Sequence, residues 1–518
     1  MDSSSVSFYE EISPIYGKDY FHKSISNIAT VTVFYNEEGF TLQKTLSSLR
    51  LQQMPKVEDH DLLLVGDGLK QMTLSMSDIL EQIFDPVKLP VRLEEWPCLA
   101  NVCVVNLPRS KVFWPFGRIS LILKKHNQGK WNSHEWHLKS FCENARFCFL
   151  TDVGCQYSSD LLHKFMDYMQ KNPKCVGVTG RRVAQSQYQQ ADPAKAKQED
   201  SCKEGMLRVL QSHSFESENN NRLENLIECV PVLPGHCTFM DWTKVSKSNF
   251  VDFYFHLAYK APAEVGQLMA QLRLAEDSVV AIYLLTHLPD SRTAMVEDAF
   301  VQFDVELTWE KFVKQRRRWY NANFACAKYM LLGTKGHPHT MFGSTMSPFR
   351  KVALSICMVR WMMMEVLSKF TIGIMGGFSC HLNYTLFIQF VSHETAKATS
   401  LALLTVYLLV YILFVWVHLK RPGSMDCSFH GGMWSMAYII SASTRLSVLV
   451  WILALSFQIQ VCFATPKNAL TVFLFRNIIC FHQCFRRFPN LSTALENFTY
   501  LSVCLSWESL LLGLGQFT

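Results

Sequence analysis

Charge is what this sequence has least of. Only 18% of its 518 residues are Asp, Glu, Lys or Arg, against about 25% in ordinary soluble domains. The deficit is uneven. Stretches 370–393, 398–417 and 446–466 hold no such residue, whereas the first 350 residues read as charged and globular. A helix needs about 20 residues to cross a bilayer core, and each stretch has that length. Also missing is any C-x-x-C pair among the 17 cysteines, which argues against a zinc site and against a disulfide framework. Scattered thiols in apolar sequence behave as small hydrophobes and suit a reducing compartment. No basic segment followed by an apolar run opens the chain, so no cleavable signal is expected and the first 350 residues are expected in the cytosol. The net charge of +6 is mild; a nucleic-acid partner would ask for a basic stripe interleaved with aromatics. Disorder, collagen and a small disulfide scaffold are excluded by composition, and no internal repeat is visible.

What is present alternates. Ala29 to Phe34 is a β-branched run that ends in Tyr35-Asn36-Glu37-Glu38. Leu42, Leu46 and Leu49 then recur at helical spacing. Asp61 to Val65 is a second apolar run, ending in Gly66-Asp67-Gly68. Further strands are expected at 119–123, 147–150 and 175–179, the second of these running into Thr151-Asp152-Val153-Gly154. Strand, polar tip, helix, strand is the pattern of an α/β domain with a parallel sheet, and ligands bind such sheets at the C-terminal strand ends. Stretch 185–221 reads as an exposed helix or inserted loop; 266–288 and 308–332 read as helices. Spans are expected near 370–393, 398–418 and 445–466. Stretch 352–369, with Arg360, Glu365 and Lys369, fits an interfacial helix or part of the first span.

The densest cationic run is Gln315-Arg316-Arg317-Arg318-Trp319. Gln315, Arg318 and Trp319 stand at i, i+3 and i+4, one face of a helix, with Arg316 and Arg317 expected to point elsewhere. An amide, a permanent cation and an aromatic plate on one face suit an anionic leaving group beside a sugar ring, since Arg grips phosphate oxygens bidentately. A basic helix lying on lipid headgroups explains the same spacing equally well.

Placed just ahead of apolar spans, this run resembles the signature of chitin synthases, processive inverting glycosyltransferases related to cellulose and hyaluronan synthases. Other segments resemble that family in the same order: Phe34 to Glu38, Gly66-Asp67-Gly68, Lys130-Trp131-Asn132-Ser133-His134-Glu135-Trp136, Asp152-Val153-Gly154, Leu233-Pro234-Gly235 and Leu274-Ala275-Glu276-Asp277. The resemblance covers roughly residues 28–330. It implies an N-terminal extension (1–27), a cytosolic GT-A, Rossmann-like domain (28–345) and an α-helical transmembrane region (346–518).

The implied roles are specific. Asp152 would hold Mg²⁺ or Mn²⁺ bridging the donor diphosphate, a hard cation that takes one or two carboxylates plus phosphate oxygens. Asp277 would be the general base, with Glu276 beside it in the catalytic pair. Tyr35, Asn36, Glu37, Asp67, Lys130, Gln315 and Arg318 would bind the donor UDP-N-acetylglucosamine. Trp319, Leu233, Pro234 and Gly235 would bind the acceptor, a growing chitin chain. Glu297-Asp298 is a competing acidic pair. The histidines of His134-Glu135-Trp136-His137 lack carboxylates at metal spacing and read as surface or packing residues. The expected protein is multi-pass in the lipid bilayer of the plasma membrane, compatible with a homo-oligomer and without nucleic acid.

The sequence also departs from the family. Ser278 and Leu69 stand where arginine is usual, Leu-Pro-Gly continues as His236-Cys237-Thr238, and the membrane-side Ser-Trp-Gly-Thr motif is not apparent. Two alternatives therefore stay open: a synthase of another β-linked polymer such as hyaluronan or cellulose, although Asp-x-Asp would then be expected at Asp152-Val153-Gly154, or an inactive membrane relative.

Overall fold

Nine strands among the described residues form one sheet in the order β3-β4-β2-β1-β5-β8-β7-β9-β6. Apart from isolated positions, the computed structural model describes residues 24–53, 60–84, 102–107, 114–185, 202–219, 222–259, 268–333 and 340–363, with scattered positions up to 409. The strands are β1 (Ile28–Phe34), β2 (His60–Asp67), β3 (Val102–Leu107), β4 (Ile119–Lys124), β5 (Phe147–Asp152), β6 (Gln156–Tyr157), β7 (Cys175–Ala184), β8 (Cys237–Asp241) and β9 (Arg292–Phe303). The helices used below are α1 (Gly39–Arg50), α2 (Leu74–Phe84), α3 (Gly129–Trp136), α4 (Leu161–Lys171), α5 (Cys202–Asn219), α6 (Phe250–Tyr259), α7 (Glu276–His287), α8 (Trp309–Leu332) and α9 (348–363).

Strands β4, β2, β1 and β5 run parallel. The expectation of a parallel sheet holds for these four strands and for the β7–β9 pair. β8 is antiparallel to β5, β3 to β4 and β6 to β9, so the whole sheet is mixed. Strands β8 and β9 were not expected. Cys237–Asp241 is short, and Arg292–Phe303 carries Glu297 and Asp298 in its middle, which masks its period.

Both faces of the parallel half are covered, which is why its strands are near-continuous apolar runs rather than alternating ones. Leu63 and Val65 join one buried cluster with Trp136, Tyr254 and the apolar residues of α7. Leu62 and Leu64 join the other, with Leu42, Leu46 and Leu49 of α1 and the inner face of α4. Successive side chains of a strand point to opposite faces, so one strand feeds two cores.

Stretch 185–221 is not merely exposed: Leu207, Leu210, Gln211 and Phe215 of α5 are buried. Arg181 and Arg182 of β7 pair with Glu216 and Glu218 on that helix. The expected helix over 266–288 is interrupted: Leu268, Gln271 and Leu272 are helical, a turn follows at Arg273 and Leu274, and α7 starts at Glu276. Helix α9 packs Leu354, Cys357 and Met358 inward, and Arg350 caps the carbonyls of Ile227, Glu228 and Ser291.

The chain divides into two compact units: residues 1–312 with 321–362, and 313–320 with 363–518. Among the described residues no helix is long and apolar enough to cross a membrane. The spans expected near 370–393, 398–418 and 445–466 fall almost wholly outside the described residues, as does most of the extension at 1–27.

Candidate active site

Strand register brings the polar tips together. Val33 stands opposite Asp152, Phe34 opposite Gly66, and Asp67 opposite Lys124. The order reverses at β1, with β2 on one side and β5 on the other. That is the switch point where open α/β sheets leave a crevice beyond their strand ends. β8 pairs with β5 so that Cys237 faces Thr151. The Leu233-Pro234-Gly235 loop, which immediately precedes β8, is thereby delivered to the Asp152 end.

Four of the sequence-derived positions meet there. Lys130 Nζ lies 2.9 Å from Asp152 Oδ2 and 3.0 Å from Glu276 Oε1. A Cβ added to Gly235 would come within 2.7 Å of the same Nζ, so glycine leaves the ammonium its seat. Burial opposes the charge on Lys130, but Asp152 and Glu276 outweigh it and raise its pKa above the ordinary value. Trp131 Nε1 donates to the carbonyl of Arg273 at 3.0 Å, which ties the first turn of α3 to the turn before Glu276. Glu276, rather than Asp277, contacts the lysine; Asp277 Oδ1 accepts from the backbone N–H of Ser278 at 2.8 Å. Both acids open α7, where a helix N-terminus favours negative charge.

Asp67 is held differently. Lys124 Nζ is 2.8 Å from its Oδ1, and the N–H of Gln128 donates to that same oxygen at 2.9 Å. Gly68 follows with φ of 107°, a conformation only glycine adopts freely, and turns the chain away so that Asp67 ends its strand cleanly. Lys124 also donates to Ser133 Oγ at 2.9 Å and Asn132 Oδ1 at 3.2 Å. The Asn-Ser pair of the Lys130–Trp136 motif thus anchors the lysine that neutralises Asp67. At the β1 tip Glu37 Oε2 accepts from the Tyr35 N–H at 2.6 Å, and Asn36 and Glu38 are exposed.

Leu233 is fully buried and packs on Gly177, so the part of that loop that can face a ligand lies around Gly235. Next to it His236 is buried, its ring tilted against Phe303 at 4.8 Å, and burial and Arg182 push its pKa well below the ordinary value. His134 is buried, with Nδ1 2.7 Å from the Tyr254 hydroxyl, and His137 is buried beside Cys148. Both are packing residues. Among the described residues one group of three could gather a metal ion: His137, Cys142 and Cys148, closed in the core and away from Asp152.

One expectation is corrected, and the competing acidic pair lies apart from the Lys130 cluster. Glu297 and Asp298 lie exposed on β9, with Asp298 3.3 Å from Lys164 and Glu297 accepting from Asn225. They join no cluster with Lys130. In the second unit Arg316 does not point away from the aromatic plate: its guanidinium lies 4.6 Å from the Trp319 ring centre, a cation–π contact. Residues 316 and 319 are themselves i, i+3, so the spacing carried that signal. Gln315, Arg318 and Trp319 lie on α8 as expected, with Arg318 exposed. Lys124 was missed. Its signal was a lysine ending the apolar run from Ile119 to Leu123. Of the family departures, Ser278 is buried against the Cys326 thiol, and Leu69 packs on the α1 and α2 side.

Comparison with known proteins places this site. Residues 109–334 match the model of the chitin synthase-like glycosyltransferase domain. This stretch contains Lys130, Asp152, Gly235, Glu276 and Gln315. Over these residues the chain is similar to chitin synthase-like glycosyltransferases, and its mixed sheet with acidic strand ends is an α/β fold. Chitin synthase A of Ampelomyces quisqualis is 24% identical over 59% of this chain and 32% of its own length. Chitin synthase 3 of Pyricularia oryzae is 27% identical over 50% and 28%. The chain thus spans about a third or less of these curated relatives. Among solved structures, a mannosyltransferase from Pyrobaculum calidifontis, in complex with GDP-Man and Mn²⁺, is similar at 12% identity and a TM-score of 0.37, over 86% of this chain and 89% of that one. TarS of S. aureus is similar at 12% identity and a TM-score of 0.31, over 59% and 40%.

Proposed function

We propose that this chain transfers N-acetylglucosamine from its uridine diphosphate conjugate to the 4-hydroxyl of a growing β-1,4 chain, and so acts as a processive chitin synthase. The observation that carries the reading is the meeting of Asp152, Lys130, Glu276 and Gly235 at the C-terminal strand ends, inside a domain that matches chitin synthases.

Residue chemistry supports each role. Asp152 and Glu276 already share one cationic atom within 3.0 Å, so the donor set suits a cation. Asp152 would hold Mg²⁺ or Mn²⁺, which supplies charge neutralisation for the departing diphosphate. Asp67, with Tyr35, Asn36 and Glu37, would face the nucleoside. Gln315 and Arg318 would bind diphosphate, and Trp319 would stack on acceptor sugar. Asp277 would take the proton of the acceptor hydroxyl as the new bond forms and the uridine diphosphate leaves. Gly235 would let backbone approach the acceptor. The charge-free stretches after residue 370 would carry the product through the plasma membrane, with the catalytic domain cytosolic.

The test is incubation of membranes bearing the full chain with labelled UDP-N-acetylglucosamine, UDP-glucuronate and UDP-glucose, each with Mg²⁺ or Mn²⁺. The expected product derives from the first donor alone and disappears on chitinase digestion. A polymer that resists chitinase overturns the chitin assignment, and activity unchanged in Asp277→Asn overturns the base.

A further inference from the structure

The lysine between the two carboxylates stands in the place a metal ion would need. Asp152 Oδ2 and Glu276 Oε1 lie 2.9 and 3.0 Å from Lys130 Nζ, and the three side chains are 30%, 20% and 26% exposed. The cluster is therefore open to a ligand, and one of its two negative charges is already balanced from within. A divalent cation on Asp152 and an ammonium on the same oxygen would be like charges a few ångströms apart, and the two repel. One has to leave. A donor diphosphate gives the ammonium somewhere to go, because its oxygens accept charge-assisted hydrogen bonds as carboxylates do. Glu276 keeps a second hold on the lysine while Asp152 is released.

We propose that Lys130 is a resident counter-cation: in the donor-free protein it occupies Asp152 and keeps a divalent ion out, and it passes to a donor phosphate when ion and nucleotide bind together. This rests on the donor and metal reading given above. Ion and nucleotide are then coupled through one side chain, and the coupling is reciprocal, each tightening the other by the same factor. Gly235 is part of the device, because a Cβ there would meet Nζ at 2.7 Å. That contact is with the end of a flexible chain, so alanine is expected to displace the ammonium rather than the backbone.

The experiment measures Mn²⁺ alone, by the electron paramagnetic resonance signal of the free ion, titrated into the purified full chain with and without saturating UDP. In the unaltered protein Mn²⁺ is expected to bind at least about tenfold more tightly with UDP than without. Lys130→Met is expected to bind Mn²⁺ without UDP about tenfold more tightly than the unaltered protein, and to lose most of the coupling. Gly235→Ala should move both quantities the same way by a smaller factor, and Lys130→Arg should retain the coupling. If Lys130→Met binds Mn²⁺ alone no better than the unaltered protein, while Mn²⁺ and UDP still bind together, the proposal is overturned and the donor reading stands. If Mn²⁺ binding in the presence of UDP is indifferent to Asp152→Asn, the metal reading falls and the proposal with it.

Discussion

Two lysine–aspartate pairs stand at the C-terminal ends of the parallel strands, and they are built for different work. Lys124 and Asp67 have side chains 0% and 6% exposed. The lysine has further partners in Ser133 and Asn132, and the aspartate takes a backbone N–H as well. Lys130, on α3, and Asp152, on the next strand but one from β2, are 26% and 30% exposed and share their charge with Glu276. A pair sunk in the interior with every group satisfied is costly to break, because the charge left behind cannot reach water. A pair at the rim is worth much less to the fold. The first pair fixes the sheet end and the second is free to exchange partners, so fold and chemistry use the same two residue types at different depths.

The largest expected effect breaks the first pair. Lys124→Met leaves the Asp67 carboxylate buried with the Gln128 N–H as its remaining support, and should cost about 3–5 kcal/mol of stability. It is read as a fall in the thermal unfolding midpoint of the purified full chain. A midpoint unchanged within about 2 °C would mean that Asp67 is not held as a buried charge. The next change breaks the second pair. Asp152→Asn should leave the midpoint nearly unchanged, since its partner is solvated and keeps Glu276. It should lower polymer formation about 10²–10³-fold, the size seen when a charge-stabilising group is removed from a reacting centre. Equal stability losses in the two variants would erase the distinction between the pairs.

The depth difference decided what was legible in the sequence. The parallel half could be read because its strands are apolar runs with polar tips, and position at a strand end is a property of the sequence. Asp152 stands at such a strand end, but its role and those of Lys130, Glu276 and Gly235 came from the resemblance to chitin synthase motifs; the structure brings the four together. Lys124 was not, because nothing local says that a terminal lysine turns inward. That depends on Asp67 standing opposite it in the register of another strand. The mixed half was poorly legible for a related reason. β9 carries two register irregularities against β7 and two exposed acids, so its period-2 pattern is broken where the strand is most bent. α5 read as exposed because its buried side chains, Leu207, Leu210, Gln211 and Phe215, are interleaved with polar ones and one of them is a glutamine.

Two of the buried histidines test the same contrast of depth: His60 begins β2 and His134 lies on α3, and neither joins a lysine–aspartate pair. Burial lowers the His60 pKa to about 3 despite the neighbouring Asp61, and burial with Lys130 lowers that of His134 to about 3. Both are neutral when folded, whereas in the unfolded chain a histidine takes a proton near 6.5. The unfolded state therefore binds more protons as pH falls below 6.5. The stability each contributes is complete above that pH and is lost progressively toward pH 3. At pH 5 the loss should be about 2 kcal/mol for each histidine. His134→Gln preserves a hydrogen-bonding partner for Tyr254 and cannot titrate; with His60 and His236 still buried and depressed, it should flatten the fall in midpoint between pH 6.5 and 5 by about a third. Because Lys130 acts on His134 and not on His60, Lys130→Met should soften the same slope slightly, and a slope unaffected by either variant would show that His134 does not titrate on unfolding.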